Sequence, residues 1–163
     1  MSSVKILLAP ILCAFMMQAT VVAQADRVAL VIGNDAYKHA SRLDNAARDA
    51  TAVAKMLREE LGFDVIADSN VTTATFDTHL DAFQTKARRA KLVIVYYAGH
   101  GMEHDGQNYI IPVDTKLERS SQLKRQTVAV QSILAGLKDS GVAAKLVILD
   151  CCRDLPLGRV VDT

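Results

Sequence analysis

The sequence predicts an α/β domain in which helices cover both faces of a mainly parallel sheet, a three-layer arrangement, and three observations carry that expectation. From Arg27 onward, short apolar runs alternate with amphipathic stretches, the succession that builds parallel sheets through helical crossovers. The apolar runs are near-continuous and lack the in–out alternation of a strand with one wet face. No internal repeat, low-complexity tract or long linker interrupts them. The 163 residues, 50% of them apolar, suffice for one core and not for two.

The chain opens with Lys5, the apolar run Ile6 to Met17, and Ala23-Gln24-Ala25 as a small-x-small cleavage site. Residues 1–25 therefore read as a secretory signal peptide cut after Ala25, with the domain occupying 26–163 and a secreted or periplasmic destination. An uncleaved membrane anchor is the rival reading, but Pro10, Gln18 and Thr20 break the run as a spanning helix. A lipid anchor on Cys13 is disfavoured by the bulky Leu12 before it.

Val28 to Ile32 is the first expected strand. Ala46, Ala50, Val53, Leu57 and Leu61 then recur at helical spacing as one buried stripe, with Asp44 or Asn45 as cap and Gly62 as stop signal. Phe63 to Ala67 is a weaker strand. Phe76, Leu80, Phe83 and Ala87 make a second stripe, capped by Thr73, and Leu92 to Tyr97 the next strand. The stretch DGQNYIIPVD, Asp105 to Asp114, is extended, and Pro112 marks it as an edge or hairpin element. Val130, Ile133, Leu134 and Leu137 form a third stripe ending at Gly141, and Leu146 to Leu149 is the last strand.

Charge narrows the partners. The chain carries 19 basic and 18 acidic residues, and losing Lys5 with the leader makes the balance even. Neither nucleic acid nor an anionic membrane is favoured. Cys13 also leaves with the leader, so Cys151 and Cys152 remain, adjacent in sequence. A trans peptide holds neighbouring Cα atoms about 3.8 Å apart, whereas disulfides want roughly 4.4–6.8 Å. A structural bridge is disfavoured, and a free thiol kept in an oxidising compartment points to chemistry.

In an open α/β sheet, sites form outside the carboxyl ends of the strands. Three segments fall on that rim: Gly33-Asn34-Asp35, Ala98-Gly99-His100-Gly101 and Asp150-Cys151-Cys152-Arg153. A cysteine nucleophile needs a base or cation to raise its thiolate fraction, and amides aimed at the oxyanion. His100 can supply the base, and the Gly101 and Cys152 amides the two donors. Gly33-Asn34-Asp35 would suggest nucleotide binding only with a glycine-rich phosphate turn, which is absent. His39, His79 and His104 receive no role, because no pair has zinc-ligand spacing.

The blocks VALVIGNDAY, YYAGHG, GQNYIIPVD and VILDCCRD resemble, in order and position, the large-subunit region of bacterial caspase-family proteins, the orthocaspases or metacaspase-like proteases. The resemblance covers Arg27 to Leu155. The animal caspase signature, glutamine-alanine-cysteine with a histidine roughly 50 residues upstream, is modified here, with Asp150 and Cys151 in place of the glutamine and alanine. The aspartate is similar to the metacaspase branch. The resemblance implies the caspase-like fold, with Cys152 as nucleophile, His100 as general acid/base and Gly101 as an oxyanion donor. It further implies that Asp49 and Asp150 line the pocket for the residue before the scissile bond. Two carboxylates there select arginine or lysine. The implied partner is a peptide or protein substrate. No cofactor is implied, and although some metacaspase relatives respond to calcium, no metal ligands are assigned here.

Caspase-like domains continue past the nucleophile with further strands, and here only Arg153 to Thr163 follow. The expectation is a domain incomplete at its C-terminus, with a missing half or a partner subunit. Two other functions stay open: a non-catalytic pseudoprotease that binds rather than cleaves, and a thiol redox protein using Cys151 and Cys152. The redox reading is the weaker, since redox motifs space their cysteines apart.

Overall fold

The computed structural model describes residues 26–151. The expected leader with Cys13 and Ala25, the expected nucleophile Cys152 and the segment to Thr163 lie outside the described residues.

The main sheet is parallel throughout, in the order β2-β1-β3-β7, from β1 (Arg27–Gly33), β2 (Asp64–Ser69), β3 (Leu92–Ala98) and β7 (Ala144–Asp150). Two crossover helices, α1 (Ala46–Glu59) and α2 (Thr73–Ala87), connect β1 to β2 and β2 to β3. After β3 the chain makes an antiparallel excursion of β4 (Gly101–His104), β5 (Gln107–Ile110) and the short β6 (Val128–Ala129). It returns through α3 (Leu123–Gln126), which precedes β6, and α4 (Val130–Asp139).

Strand alternation divides the core. Ala29 and Val31 of β1 and Tyr96 and Ala98 of β3 meet the small-residue stripe Ala46, Ala50, Ala54 and Leu57 of α1. On the other face Val28, Leu30, Val93, Val95 and Tyr97 meet Phe76 and Phe83 of α2 and Ile133 and Leu137 of α4. Phe76 and Phe83 are almost wholly shielded from water, and each such side chain contributes roughly 1.5–3 kcal/mol through burial. The alanine stripe brings α1 close to the sheet. A Cβ at Gly33 would lie 2.5 Å from the Ala46 carbonyl and 2.6 Å from the Ala50 Cβ, so glycine there permits the approach.

Several expectations are corrected. Leu146 and Ile148 were expected to be covered on both faces, yet they are 49% and 39% exposed. They point to the α1 side, and α1 lies over β1, β2 and β3, leaving β7, the edge of the sheet among the described residues, beyond its reach. Leu61, expected in the buried stripe, is exposed because α1 ends at Glu59. Leu134 is also exposed, at the margin of the stripe formed by Val130, Ile133 and Leu137. The cap of α2 is Thr72, whose hydroxyl accepts from the Thr75 N–H at 3.2 Å. Thr73, expected as the cap, instead gives its N–H and hydroxyl to the Asp114 carboxylate at 2.9 and 3.3 Å. At α1 the cap position is Asn45, without a side-chain capping bond.

The excursion is a hairpin, as Pro112 suggested, but it begins earlier, at Gly101. Its turn is Asp105-Gly106, with φ of 50° and 72°, the pair of positive φ values that a tight hairpin turn requires. One strand therefore starts directly after His100.

Candidate active site

Three chain segments meet at the carboxyl rim. In the β1–β3–β7 register, Gly33 pairs with Ala98 and Ala98 with Asp150. The pairing continues past the strand ends: the Asn34 N–H donates to the Ala98 carbonyl at 2.8 Å and the Gly99 N–H to the Asp150 carbonyl at 3.2 Å. Asn34 is fully buried. Its Nδ2 donates to the Ile111 carbonyl at 3.3 Å, and its Oδ1 accepts from the Val71 N–H at 3.0 Å. A buried amide satisfied on both sides is a brace, and it ties the β1 exit to the hairpin.

His100 stands between β3 and β4. Its Nε2 lies 2.8 Å from the Ser41 carbonyl oxygen and 3.4 Å from the Ser41 hydroxyl. A carbonyl only accepts, so in the neutral ring Nε2 carries the hydrogen and Nδ1 keeps the lone pair. The ring is thereby set to take a proton at Nδ1. The Tyr37 ring packs against it, centroids 4.4 Å apart and tilted by 47°. The His100 N–H donates to the Tyr37 hydroxyl at 2.7 Å, and the Tyr97 hydroxyl donates to the His100 carbonyl at 2.8 Å. Burial pushes both phenols above the usual tyrosine range, Tyr97 well above it, so both are protonated at neutral pH.

A cavity of about 710 Å³ opens at this rim, lined by His100, Ser41, Asp44, Asp49, Asp150 and Cys151 among others. Asp49 reaches it from the first turn of α1, and its partner Arg48, at 3.6 Å, is an exposed neighbour, a weak interaction. The Asp150 carboxylate accepts from the Tyr96 hydroxyl at 3.3 Å. Tyr96 is itself pushed up, by burial first, then by the charge and hydrogen bond of Asp150, then by the charge of Asp49. Both carboxylates thus act on one phenol. A cavity with several carboxylates and an imidazole at its rim suits a cationic guest.

Of the residues expected from the sequence, His100, Asp49 and Asp150 share this cavity, and Gly101 is buried at the start of β4. Cys152 lies outside the described residues, but its covalent neighbour Cys151 lines the cavity. Cys151 is half-buried and packs against the larger core cluster, in keeping with a small apolar role. Sequence reasoning missed three contributors. Ser41 acts through a backbone carbonyl, which no side-chain motif can signal. Tyr96 orients Asp150, and Asp44 had been read only as a helix cap. Of the histidines given no role, His79 pairs with Asp68 at 2.8 Å and His104 lies 3.5 Å from Asp105, both away from the cavity.

The family model described as the caspase domain of peptidase C14 matches residues 26–162. Over 128 residues the chain is 30% identical to human mucosa-associated lymphoid tissue lymphoma translocation protein 1, covering 78% of this chain. The mouse homolog of that protein matches to the same extent. The chain spans 15% of the length of each of these relatives.

Proposed function

This chain belongs to the caspase-domain family of C14 peptidases, and from that membership we propose a cysteine endopeptidase that hydrolyses peptide bonds after arginine or lysine. The observation that carries the reading is the shared cavity, where His100, Asp49, Asp150 and the neighbour of Cys152 converge from separate elements.

In the proposed reaction the Cys152 thiol gives its proton to His100 Nδ1, and the thiolate attacks the scissile carbonyl carbon. The carbonyl electron pair moves onto oxygen, which the Gly101 and Cys152 amides hold; losing one such donor costs about 10²–10³ in rate. Collapse expels the amine, which takes the proton from Nδ1, and leaves a thioester. Water then attacks, giving its proton to Nδ1, and the tetrahedral adduct releases the carboxylate product and regenerates the thiol. Asp49 and Asp150 receive the cationic side chain before the scissile bond. The reading also places the protein outside the cytoplasm after removal of residues 1–25.

A fluorogenic arginine peptide tests the reaction. Turnover by the mature chain that disappears in both Cys152→Ala and His100→Ala supports it, and turnover surviving either substitution overturns the mechanism. The uncovered Leu146 and Ile148 on β7 favour a second reading, a non-catalytic binding module. That reading requires a wild-type chain without turnover on any basic-residue peptide.

A further inference from the structure

The reaction above needs an imidazole held in one orientation, and the loop that carries it is only Gly99 and His100, between the end of β3 and the start of β4. What steadies so short a loop follows from counting protons around it. The Tyr97 hydroxyl faces two carbonyl oxygens, of His100 at 2.8 Å and of Ile111 at 3.0 Å. Carbonyls accept and never donate, so the phenol proton of Tyr97 goes to them. Across the 3.1 Å contact between the two hydroxyls, Tyr37 is therefore the donor. The Tyr37 oxygen keeps a lone pair, and the His100 N–H fills it at 2.7 Å.

The bonds close a ring. The N–H of His100 donates to Tyr37, Tyr37 to Tyr97, and Tyr97 to the carbonyl of His100. Every member gives one proton in the same sense, an arrangement in which each bond polarises the next. Gly99 makes room for it: a Cβ there would fall 2.5 Å from the Tyr97 hydroxyl and 2.6 Å from that of Tyr37, and its φ of +156° suits glycine. The ring of Tyr37 against the imidazole restricts the remaining side-chain rotation, while the Ser41 carbonyl takes the Nε2 proton. Tyr37 and Ser41 belong to the segment between β1 and α1, so two separate parts of the chain hold one histidine.

We propose that Tyr37 and Tyr97 are positioning residues for the proton shuttle, their hydroxyls clamping the His100 backbone from both sides so that the ring keeps Nε2 on the Ser41 carbonyl and Nδ1 for the proton. This rests on the reading of His100 as the acid/base of a cysteine peptidase. Their hydroxyls bond the backbone of His100 and not its ring nitrogens; they act through His100.

The test is Tyr37→Phe, which keeps the ring against the imidazole and removes only the hydroxyl. Expected is a fall of roughly tenfold in kcat with little change in KM, the signature of a lost contact that matters in the transition state. Alkylation of Cys152 by iodoacetamide, read at that residue by peptide mass, should slow by a similar factor, and this readout needs no peptide turnover. Ring ¹⁵N shifts of His100 should move from a single Nε2–H tautomer toward a mixture. A tyrosine that merely supported the fold would lower the unfolding temperature without moving kcat, the alkylation rate or the tautomer. Wild-type values of all three in a folded Tyr37→Phe protein overturn the proposal. So does unprotected hydrogen exchange at the His100 amide of the wild-type chain, a measurement that needs no variant. The two failures are distinguishable: if His100→Ala leaves turnover and Cys152 alkylation untouched, the protease reading fails and this proposal with it, whereas wild-type behaviour of Tyr37→Phe beside an inactive His100→Ala overturns this proposal alone.

Discussion

Asp49 and Asp150 together make the sharpest electrostatic prediction. Two unit charges 4 Å apart interact by about 1 kcal/mol in water and about 4 kcal/mol at the effective dielectric of a protein surface. The Asp49 side chain is 48% exposed, so its attraction for a substrate guanidinium belongs near the lower bound, about 1–2 kcal/mol. Replacing it with Asn, which keeps the shape and removes the charge, should lower kcat/KM on an arginine substrate by roughly 5- to 30-fold. Asp150 is likewise exposed though held by the Tyr96 hydroxyl at 3.3 Å, and Asp150→Asn should fall in the same range. In the proposed pocket both carboxylates face one cation, so the double substitution should cost a different amount from the sum of the singles. The assay compares an arginine substrate with its citrulline counterpart, a neutral molecule of nearly the same shape. Charge recognition predicts a loss on arginine and almost none on citrulline. Equal losses on both, or no loss on arginine, would refute the reasoning.

Other consequences concern stability and packing. Gly33→Ala places a Cβ against backbone that cannot yield, 2.5 Å from the Ala46 carbonyl. It should destabilise the fold by about 1–3 kcal/mol in a thermal or urea melt, and raise KM for arginine by displacing α1 and its Asp49. Thr72→Ala removes the α2 cap and should cost about 1 kcal/mol, measured the same way, with kcat unchanged. The buried Tyr97 titrates well above its usual 10.0 in the folded chain. A raised folded value means that its stabilisation is complete below the unfolded value and is lost as pH rises past it. Stability should therefore decline above about pH 10, by up to about 1.4 kcal/mol per pH unit for that phenol, and Tyr97→Phe should flatten the slope in urea melts.

Much of this architecture was legible because the relevant forces are local. Val28 to Ile32 and Leu92 to Tyr97 are apolar on both sides and became the two central strands. Asp105-Gly106, read as the start of an extended stretch, is instead the hairpin turn, a pairing whose turn chemistry the sequence does carry. The run Leu146 to Leu149 looks the same in sequence as the central strands, yet among the described residues it is an edge, because an apolar run carries no record of how many helices lie above it. Adjacent Thr72 and Thr73 differ only in which carboxylate or amide lies nearby, a tertiary fact. At the site, the strand-end rule pointed to His100 and Asp150 and the family resemblance to Asp49, and the three line one cavity. The clamp of Tyr37 and Tyr97 was not legible, since it joins residues that meet only when β1, β3 and the hairpin have packed. The carbonyl of Ser41 has no sequence signature at all.

The central claim is that one ledge presents an imidazole, a sulfur and two carboxylates to the same peptide. A crystal structure of the protein treated with a peptidyl-arginine aldehyde tests it most directly. The account predicts a thiohemiacetal on Sγ of Cys152, its oxygen at the Gly101 amide, His100 Nδ1 within reach of the adduct and the guanidinium between Asp49 and Asp150. An adduct on Cys151, or an arginine side chain bound away from both carboxylates, would contradict it.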